Sequence, residues 1–321
     1  MDDLSKSLPF QVGGYYFNRL IGSGSYSYCF EVYSNKYQQN FCAKVTPISP
    51  EFIDENGNYN DMELYALMSL DHINIMRIYD YFISEGYLFL ILELCNGSLA
   101  TTIARRDPFD ARSIIEALAK AVNVCHKANI AHRDIKPSNV FFDKYGRPKL
   151  GDFGLSSYQE SVNNICGSKP YLAPETFYSK NYDPFKADVW SLGVTFYEII
   201  TGKQLFPNGP PEDASFEVKF PKTIDQRLLN LIQQMIKFDP KNRITIQEVC
   251  EDKYFTAPEG LPRLKVTQST SQPKINAFGN IPQAKKPPPP QAQLSSVKRK
   301  STNGVRFMRK AWIHPYALSA H

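Results

Sequence analysis

Short alternating apolar runs dominate the first third of the chain, and helical spacing dominates the middle. Tyr15 to Ile21 and Tyr28 to Tyr33 read as strands on either side of Gly22-Ser23-Gly24-Ser25-Tyr26-Ser27, and Phe41 to Val45 reads as a third. Between Asp61 and Leu70, the residues Leu64, Leu67 and Leu70 recur at three-residue spacing and predict a helix with one face on a core. Met76 to Ile83 and Tyr87 to Leu94 predict a hairpin around Ser84-Glu85-Gly86. From Asp110 to Lys127, Ile114, Ile115, Leu118, Ala121, Val122 and Cys125 form one apolar helical face. Val140-Phe141-Phe142 and Lys149-Leu150 predict short strands around a Lys144-Tyr145-Gly146-Arg147-Pro148 turn, and an apolar helix runs from Asp188 through Ile200 to a stop at Gly202. From Ala257 onward the periodicity ends. Thr267 to Ser271 and Lys285-Lys286-Pro287-Pro288-Pro289-Pro290 are poor in core-forming residues and predict disorder.

Composition adds a division that the pattern alone does not give. The net charge of +5 is split: residues 1–256 carry 26 Lys and Arg against 31 Asp and Glu, whereas residues 257–321 carry 11 against 1. A mildly acidic globular part thus precedes a strongly basic tail, which has the chemistry to meet acidic proteins, lipid headgroups or, least expected of the three, nucleic acid. An apolar share of 42% suffices for a sizeable core. No apolar run approaches the roughly 18 residues of a membrane span, and the Met1-Asp2-Asp3 start lacks a signal pattern. The cysteines at 29, 42, 95, 125, 166 and 250 form no close pair in sequence, so neither a zinc knuckle nor a disulfide framework is expected. Reduced thiols point to the cytoplasm.

The chemistry gathers in His132-Arg133-Asp134-Ile135-Lys136-Pro137-Ser138-Asn139 and, thirteen residues after Asn139, in Asp152-Phe153-Gly154. A carboxylate can orient a hydroxyl and a lysine can meet a phosphate. One Asn with one Asp suffices for magnesium, which prefers few protein oxygens plus phosphate oxygens. The glycines at 22 and 24 let backbone amides approach phosphates, and strands on both sides of them argue against a dinucleotide fold. Lys44 lies among apolar neighbours on a strand, where an unpaired ammonium would be costly; Glu63 on the helix that follows is its expected partner.

Together these segments resemble the glycine-rich, catalytic and metal-binding loops of the eukaryotic protein kinases. The resemblance covers residues 15–255. It implies an α+β, bilobal fold, with a small antiparallel-sheet lobe bearing one helix (about 15–94) and a larger, mainly helical lobe (about 95–255). Residues 1–14 are then an N-terminal extension, and residues 256–321 a basic, proline-rich tail. ATP and Mg2+ are the implied cofactors, in a cleft formed by Ile21, Gly22, Ser23, Gly24, Ser25, Tyr26, Ser27, Cys29, Ala43, Lys44, Glu63, Leu92, Glu93 and Cys95. Leu92 would guard the back of the adenine pocket, and backbone groups of Glu93 and Cys95 would hold the base. Asp134 is the implied catalytic carboxylate, Lys136 the partner of the γ-phosphate, and Asn139 and Asp152 the metal ligands. Ser168 stands where the family has a threonine that contacts the catalytic aspartate. Lys136 and Ser168 together favour Ser or Thr acceptors. Arg133, Glu175, Asp188 and Arg243 are implied as structural, with Asp188 tethering the catalytic loop and Arg243 pairing with Glu175. Phe220-Pro221 to Val249 looks most like the calcium/calmodulin-dependent and AMP-activated kinase branch.

Several positions depart from the pattern. Ser27 replaces the third glycine of the loop, and Cys29 replaces a valine over the adenine. Asn164 stands at the usual activation-loop phosphosite, so the loop is expected either to be ordered without phosphate or to use Ser156, Ser157, Tyr158 or Ser161. Ser98 and Ser138 replace acids common in relatives that select arginine, while Glu198 remains. In the tail, the proline run suits an SH3- or WW-type groove, and Lys298-Arg299-Lys300 is a candidate nuclear address. Val305 to Ile313 is a candidate calmodulin-type, autoinhibitory or membrane-surface segment. The alternatives to an active kinase are a pseudokinase scaffold, or a tail-mediated binding protein with a regulatory kinase domain.

Overall fold

The structure is a computed structural model and describes residues 8–24, 27–49, 53, 61–159 and 162–256. Ser25, Tyr26, Ser161 and all tail motifs named above lie outside the described residues.

Six antiparallel strands form the first sheet: β1 (Phe10–Val12), β2 (Tyr15–Ser23), β3 (Tyr28–Ser34), β4 (Gln39–Pro47), β5 (Ile78–Ser84) and β6 (Tyr87–Leu92), in spatial order β1-β2-β3-β4-β6-β5. Strand alternation sorts the side chains by face. Phe30 and Val32 of β3, together with Phe41, Ala43 and Val45 of β4, are buried in an aromatic-rich cluster with Tyr15, Phe17, Phe89 and Ile91. The residues between them, Cys29 and Glu31 on β3 and Cys42 and Lys44 on β4, face the other way and are partly exposed. In β3–β4 the register sets Cys29 opposite Lys44 and Glu31 opposite Cys42. The β5–β6 turn uses Glu85 at φ 50° and Gly86 at φ 80°, and two successive positive φ values suit the twist of a tight hairpin. Strand β1 is not announced by the sequence pattern. It pairs with β2 and stacks Phe10 on Phe17, ring centroids 4.5 Å apart.

Among the described residues one helix accompanies this sheet, α1 (Met62–Ser69). Asp61 caps it by accepting from the Leu64 amide at 2.8 Å, and Glu63 sits in its first turn, where a carboxylate favours the helix dipole. Leu64, Leu67 and Leu70 are all buried, as their spacing predicts.

Helices carry the larger part: α2 (Leu99–Arg105), α3 (Ala111–Lys127), α4 (Glu175–Tyr178), α5 (Pro184–Thr201), α6 (Gln226–Met235), α7 (Ile246–Glu251) and α8 (Lys253–Thr256). A two-stranded sheet, β7 (Val140–Phe142) with β8 (Pro148–Leu150), lies between α3 and α4 in the chain. The fold is thus the expected α+β kinase architecture. Helix α5 begins four residues before the Asp188 start read from the sequence. Asp183 caps it, accepting from the amides of Phe185 and Lys186, and Pro184 occupies the first helical position, where its missing N–H costs nothing. Gly202 ends it at φ 67°. At Gly193 a side chain would come within 2.9 Å of the Met235 Cβ, so α5 and α6 can be this close only with glycine there.

Candidate active site

Three segments from distant parts of the chain meet at Lys44. Its Nζ donates to both carboxylate oxygens of Glu63 at 2.7 Å and to Oδ1 of Asp152 at 2.7 Å. Burial works against the ammonium, but the charges of Glu63 and Asp152 overcome it and hold the Lys44 pKa above the ordinary lysine value. Burial likewise pushes the Asp152 carboxyl up, and Lys44 more than reverses this, so Asp152 stays ionised. The Lys44–Glu63 pair is the one expected from sequence. The direct Lys44–Asp152 contact was not foreseen, because no local pattern links residues 108 positions apart.

The loop from His132 to Asn139 is held by side chains on two helices and by its own backbone. Asp188, buried in α5, accepts from the His132 amide with Oδ2 and from the Arg133 amide with Oδ1, both at 2.7 Å. The His126 ring on α3 approaches the same Oδ2 at 2.9 Å. The His132 ring donates from Nε2 to the Gly151 carbonyl at 3.1 Å, which leaves Nδ1 to accept from the Asp134 amide at 3.3 Å. Phe153 is fully buried, its ring centroid 4.7 Å from that of His132. Catalytic loop and metal loop are thereby fixed to each other through one imidazole.

Three residues converge on Asp134, two through their side chains and Ser168 through its amide. Lys136 Nζ donates to Oδ2 at 2.6 Å and to the Ser168 hydroxyl at 2.6 Å. The Ser168 amide donates to Oδ1 at 3.0 Å. Asn139 Nδ2 donates to Oδ2 at 3.0 Å and to the Asp134 carbonyl at 2.9 Å. Gly167 makes this closeness possible: it lies at φ 106°, and a Cβ there would come within 2.6 Å of the Arg133 carbonyl.

The donor chemistry of Asn139 and Asp152 fits a hard divalent cation. With its amide nitrogen committed to Asp134, Asn139 has its side-chain oxygen left to offer, and Asp152 is 45% exposed in its side chain. Among the described residues no group of three or more His, Cys, Asp or Glu could enclose a metal by itself. Two oxygen ligands of this kind suit an ion that keeps waters and phosphate oxygens in its shell.

At the end of β6, Leu92 is buried and next to the stretch assigned to the base. The Glu93 amide is bonded to the Arg77 carbonyl at 3.0 Å, whereas the Glu93 carbonyl and the Cys95 amide have no partner among the described residues. Those two groups are free to serve an adenine edge. The Glu93 carboxylate, to which sequence assigned nothing, pairs with buried Lys149 at 2.9 Å. A lysine between Pro148 and Leu150 in a short apolar strand was the available signal.

Further out, Arg243 donates to both oxygens of Glu175 at 2.6 and 2.8 Å with both groups buried, and it also donates to the carbonyls of Lys186, Lys237 and Phe238. Glu198 is buried and accepts from the Tyr171 hydroxyl at 2.6 Å. Ser98 caps α2, accepting from the Thr101 amide. Of the residues assigned by sequence, Lys44, Glu63, Asp134, Lys136, Asn139, Asp152 and Ser168 come together here, supported by Arg133, Asp188, Glu175 and Arg243. Ile21, Gly22, Ser23, Gly24, Ser27, Cys29 and Ala43 lie on or beside β2, β3 and β4, close in register to Lys44.

A lysine, paired carboxylates and an amide oxygen around one cleft have the makings of a phosphoryl-transfer centre. The chain belongs to the protein kinase family: the model of the protein kinase domain matches residues 15–255. It is similar to serine/threonine-protein kinase PLK1 of Xenopus laevis, 27% identical over 80% of this chain and 45% of that protein. It is also similar to CBL-interacting serine/threonine-protein kinase 3 of Arabidopsis thaliana, 28% identical over 83% of this chain and 64% of that one, and to Aurora kinase C of Mus musculus, 28% identical over 75% and 91%. The chain spans about half the length of many of the curated relatives it matches, PLK1 among them. These relatives differ in kind, so the match fixes the family and not a branch within it.

Proposed function

We propose that this protein is an ATP-dependent protein serine/threonine kinase that uses magnesium. The observation that carries the reading is the arrangement around Asp134. One carboxylate oxygen accepts from Lys136 and Asn139, the other from the Ser168 amide, and Lys136 also holds the Ser168 hydroxyl. A substrate hydroxyl entering there meets a fixed acceptor in Asp134, which orients it and takes its hydrogen bond. Lys136, beside it, supplies positive charge where phosphate oxygens gain negative charge. Lys44, kept protonated by Glu63 and Asp152, does the same for the phosphates nearer the nucleoside. Asn139 and Asp152 would hold the metal, which when bound neutralises phosphate charge and fixes the phosphates in line. Most of the acceleration in such reactions comes from positioning and charge compensation, which is what these residues supply.

Magnesium-dependent transfer of the γ-phosphoryl from ATP to a generic basic protein tests the reading, with Lys44→Met as the control. Transfer by the wild type that the control lacks supports it. ATP binding without transfer would favour the scaffold alternative. Phosphoamino-acid analysis of the product checks the Ser/Thr assignment, and phosphotyrosine alone would refute it.

A further inference from the structure

The antiparallel register of β5 and β6 sets Ile78 opposite Leu92, and one step further it brings Arg77 opposite Glu93. A hydrogen-bonded antiparallel pair exchanges two bonds, amide to carbonyl each way. Only half of that exchange is made here. The Glu93 amide donates to the Arg77 carbonyl at 3.0 Å, but the Arg77 amide donates to Oε1 of the Glu93 side chain at 2.7 Å. The carboxylate has taken the place of its own residue's carbonyl, which has no partner among the described residues. Lys149 holds the carboxylate there. Its Nζ pairs with the same Oε1 at 2.9 Å, both groups being shielded, with 6% of the lysine and 14% of the glutamate side chain exposed. The backbone on either side of Lys149 is fixed in turn. Asn74 Nδ2 donates to the Pro148 carbonyl at 2.9 Å, the Leu150 amide donates to the Asn74 carbonyl at 2.8 Å, and the Leu150 carbonyl accepts from the Met76 amide at 2.8 Å. At the far end of the stretch, the Asn96 amide donates to the Phe142 carbonyl at 2.8 Å and the Gly97 carbonyl accepts from the Phe142 amide at 3.0 Å. The free Glu93 carbonyl and Cys95 amide thus lie between two anchored ends.

We propose that the Glu93 carboxylate and Lys149 are positioning residues for the base: the carboxylate occupies the Arg77 amide, so that the Glu93 carbonyl stays free to accept from the 6-amino group of adenine. The proposal rests on the reading that this cleft takes ATP. Without a side-chain acceptor, the ladder partner left for the Arg77 amide is the carbonyl of residue 93, and closing that bond draws the carbonyl toward β5 and away from the base. An unpaired amide is costly enough to drive the exchange. A glutamine oxygen can accept from the Arg77 amide in the same way and needs no counter-ion. The negative charge at position 93 is therefore dispensable once Lys149 is gone, whereas the acceptor is not.

Calorimetric titration of the full chain compares magnesium ATP with magnesium purine riboside triphosphate, which lacks only the 6-amino group. The wild type should prefer ATP by at least about fivefold, the worth of one hydrogen bond. Two double variants form a matched pair, since both remove the ion pair and they differ in the acceptor alone. In Glu93→Leu with Lys149→Met the preference should fall below about twofold, through weaker ATP binding. In Glu93→Gln with Lys149→Met it should return to within about twofold of the wild type. Lys149→Met alone leaves the carboxylate without its counter-ion and should lie between the two. A pair that merely stabilises the fold would lower the unfolding midpoint of both double variants and leave the preference for ATP untouched; that result, or an equal loss of preference in both, overturns the proposal. A wild type that binds ATP without preferring it overturns the role of the carbonyl. A wild type that binds neither nucleotide overturns the ATP reading itself, and the proposal with it.

Discussion

Arg133 Nη2 donates to both oxygens of Asn164, the side-chain Oδ1 at 2.6 Å and the carbonyl at 3.0 Å. Tyr182 adds its hydroxyl to the same carbonyl at 3.0 Å, and Val162 and Tyr182 exchange backbone hydrogen bonds at 3.0 Å each way. In kinases whose activation loop carries a phosphate, arginine pairing with that phosphate orders the loop. Here a neutral amide meets the arginine. Ser156 and Ser157, two of the alternatives read from sequence, are buried.

From this contact, activity should not depend on phosphorylation of the loop. Phosphatase-treated and untreated protein are expected to transfer phosphate at the same rate. Asn164→Ala removes a hydrogen bond to a charged donor. Such bonds are worth about 1.5–3 kcal/mol when shielded, and near 1 kcal/mol at a partly exposed site like this one, so activity should fall about fivefold. A large loss on phosphatase treatment would show that another modified group orders the loop.

Asp134→Asn keeps the shape of the side chain but removes the carboxylate that receives the substrate hydroxyl. Turnover is expected to fall by roughly 10²–10⁴, the range for losing a positioned acid–base group. The midpoint of thermal unfolding should stay within a few degrees of the wild type. A stable variant with near-normal turnover would take Asp134 out of the mechanism.

The Glu175–Arg243 pair should matter for stability well before it matters for chemistry. Arg243→Met leaves the Glu175 carboxylate buried without its partner, a change that typically costs about 3–5 kcal/mol. At about 2–4 °C per kcal/mol for a domain of this size, the midpoint should drop by roughly 6–20 °C. Adding Glu175→Gln should recover part of the loss, since the orphaned charge is then gone. Calorimetry of the two single variants and the double variant reads this directly.

Burial raises the Glu198 pKa even though the Tyr171 hydroxyl favours its charged form. A carboxyl raised in the folded state stabilises most while protonated, below its unfolded pKa. That stability is lost as pH rises through the folded value. Glu198→Gln keeps an acceptor for Tyr171 and carries no charge. Its midpoint should match the wild type near pH 4 and exceed it by about 2 °C near pH 7. A lower midpoint at neutral pH would show that the ionised carboxylate is favourable where it sits.

Much of the site could be read from sequence because its residues come in short rigid runs. His132 to Asn139 and Asp152 to Gly154 each hold their chemistry within one loop, so spacing alone groups them. The Lys44–Glu63 pair could be inferred because a lysine on an apolar strand needs a carboxylate and α1 offers one. Strand β1 and helix α2 were not legible. Three residues of Phe10–Val12 show no period, and their burial comes from Phe17 and Phe30 across the sheet. In α2 only Leu99 is buried, so the helix has no apolar stripe to reveal it. The start of α5 is marked in the sequence by Asp183-Pro184, a helix-start signal that lies outside the apolar pattern beginning at Asp188. That Arg133 meets position 164 follows from the family resemblance, in which Arg133 receives the phosphate of that position; the hydrogen bonds to the Asn164 amide and carbonyl depend on where the chain lies between Val162 and Tyr182.

Asp188 lies in the second turn of α5, the longest described helix, and grips the catalytic loop through the His132 and Arg133 amides while the His126 ring of α3 leans on the same carboxylate. The loop therefore has no hinge of its own with respect to the helical core. Heating cannot soften the chemistry first and melt the scaffold later, so inactivation and loss of helical signal should trace a single curve.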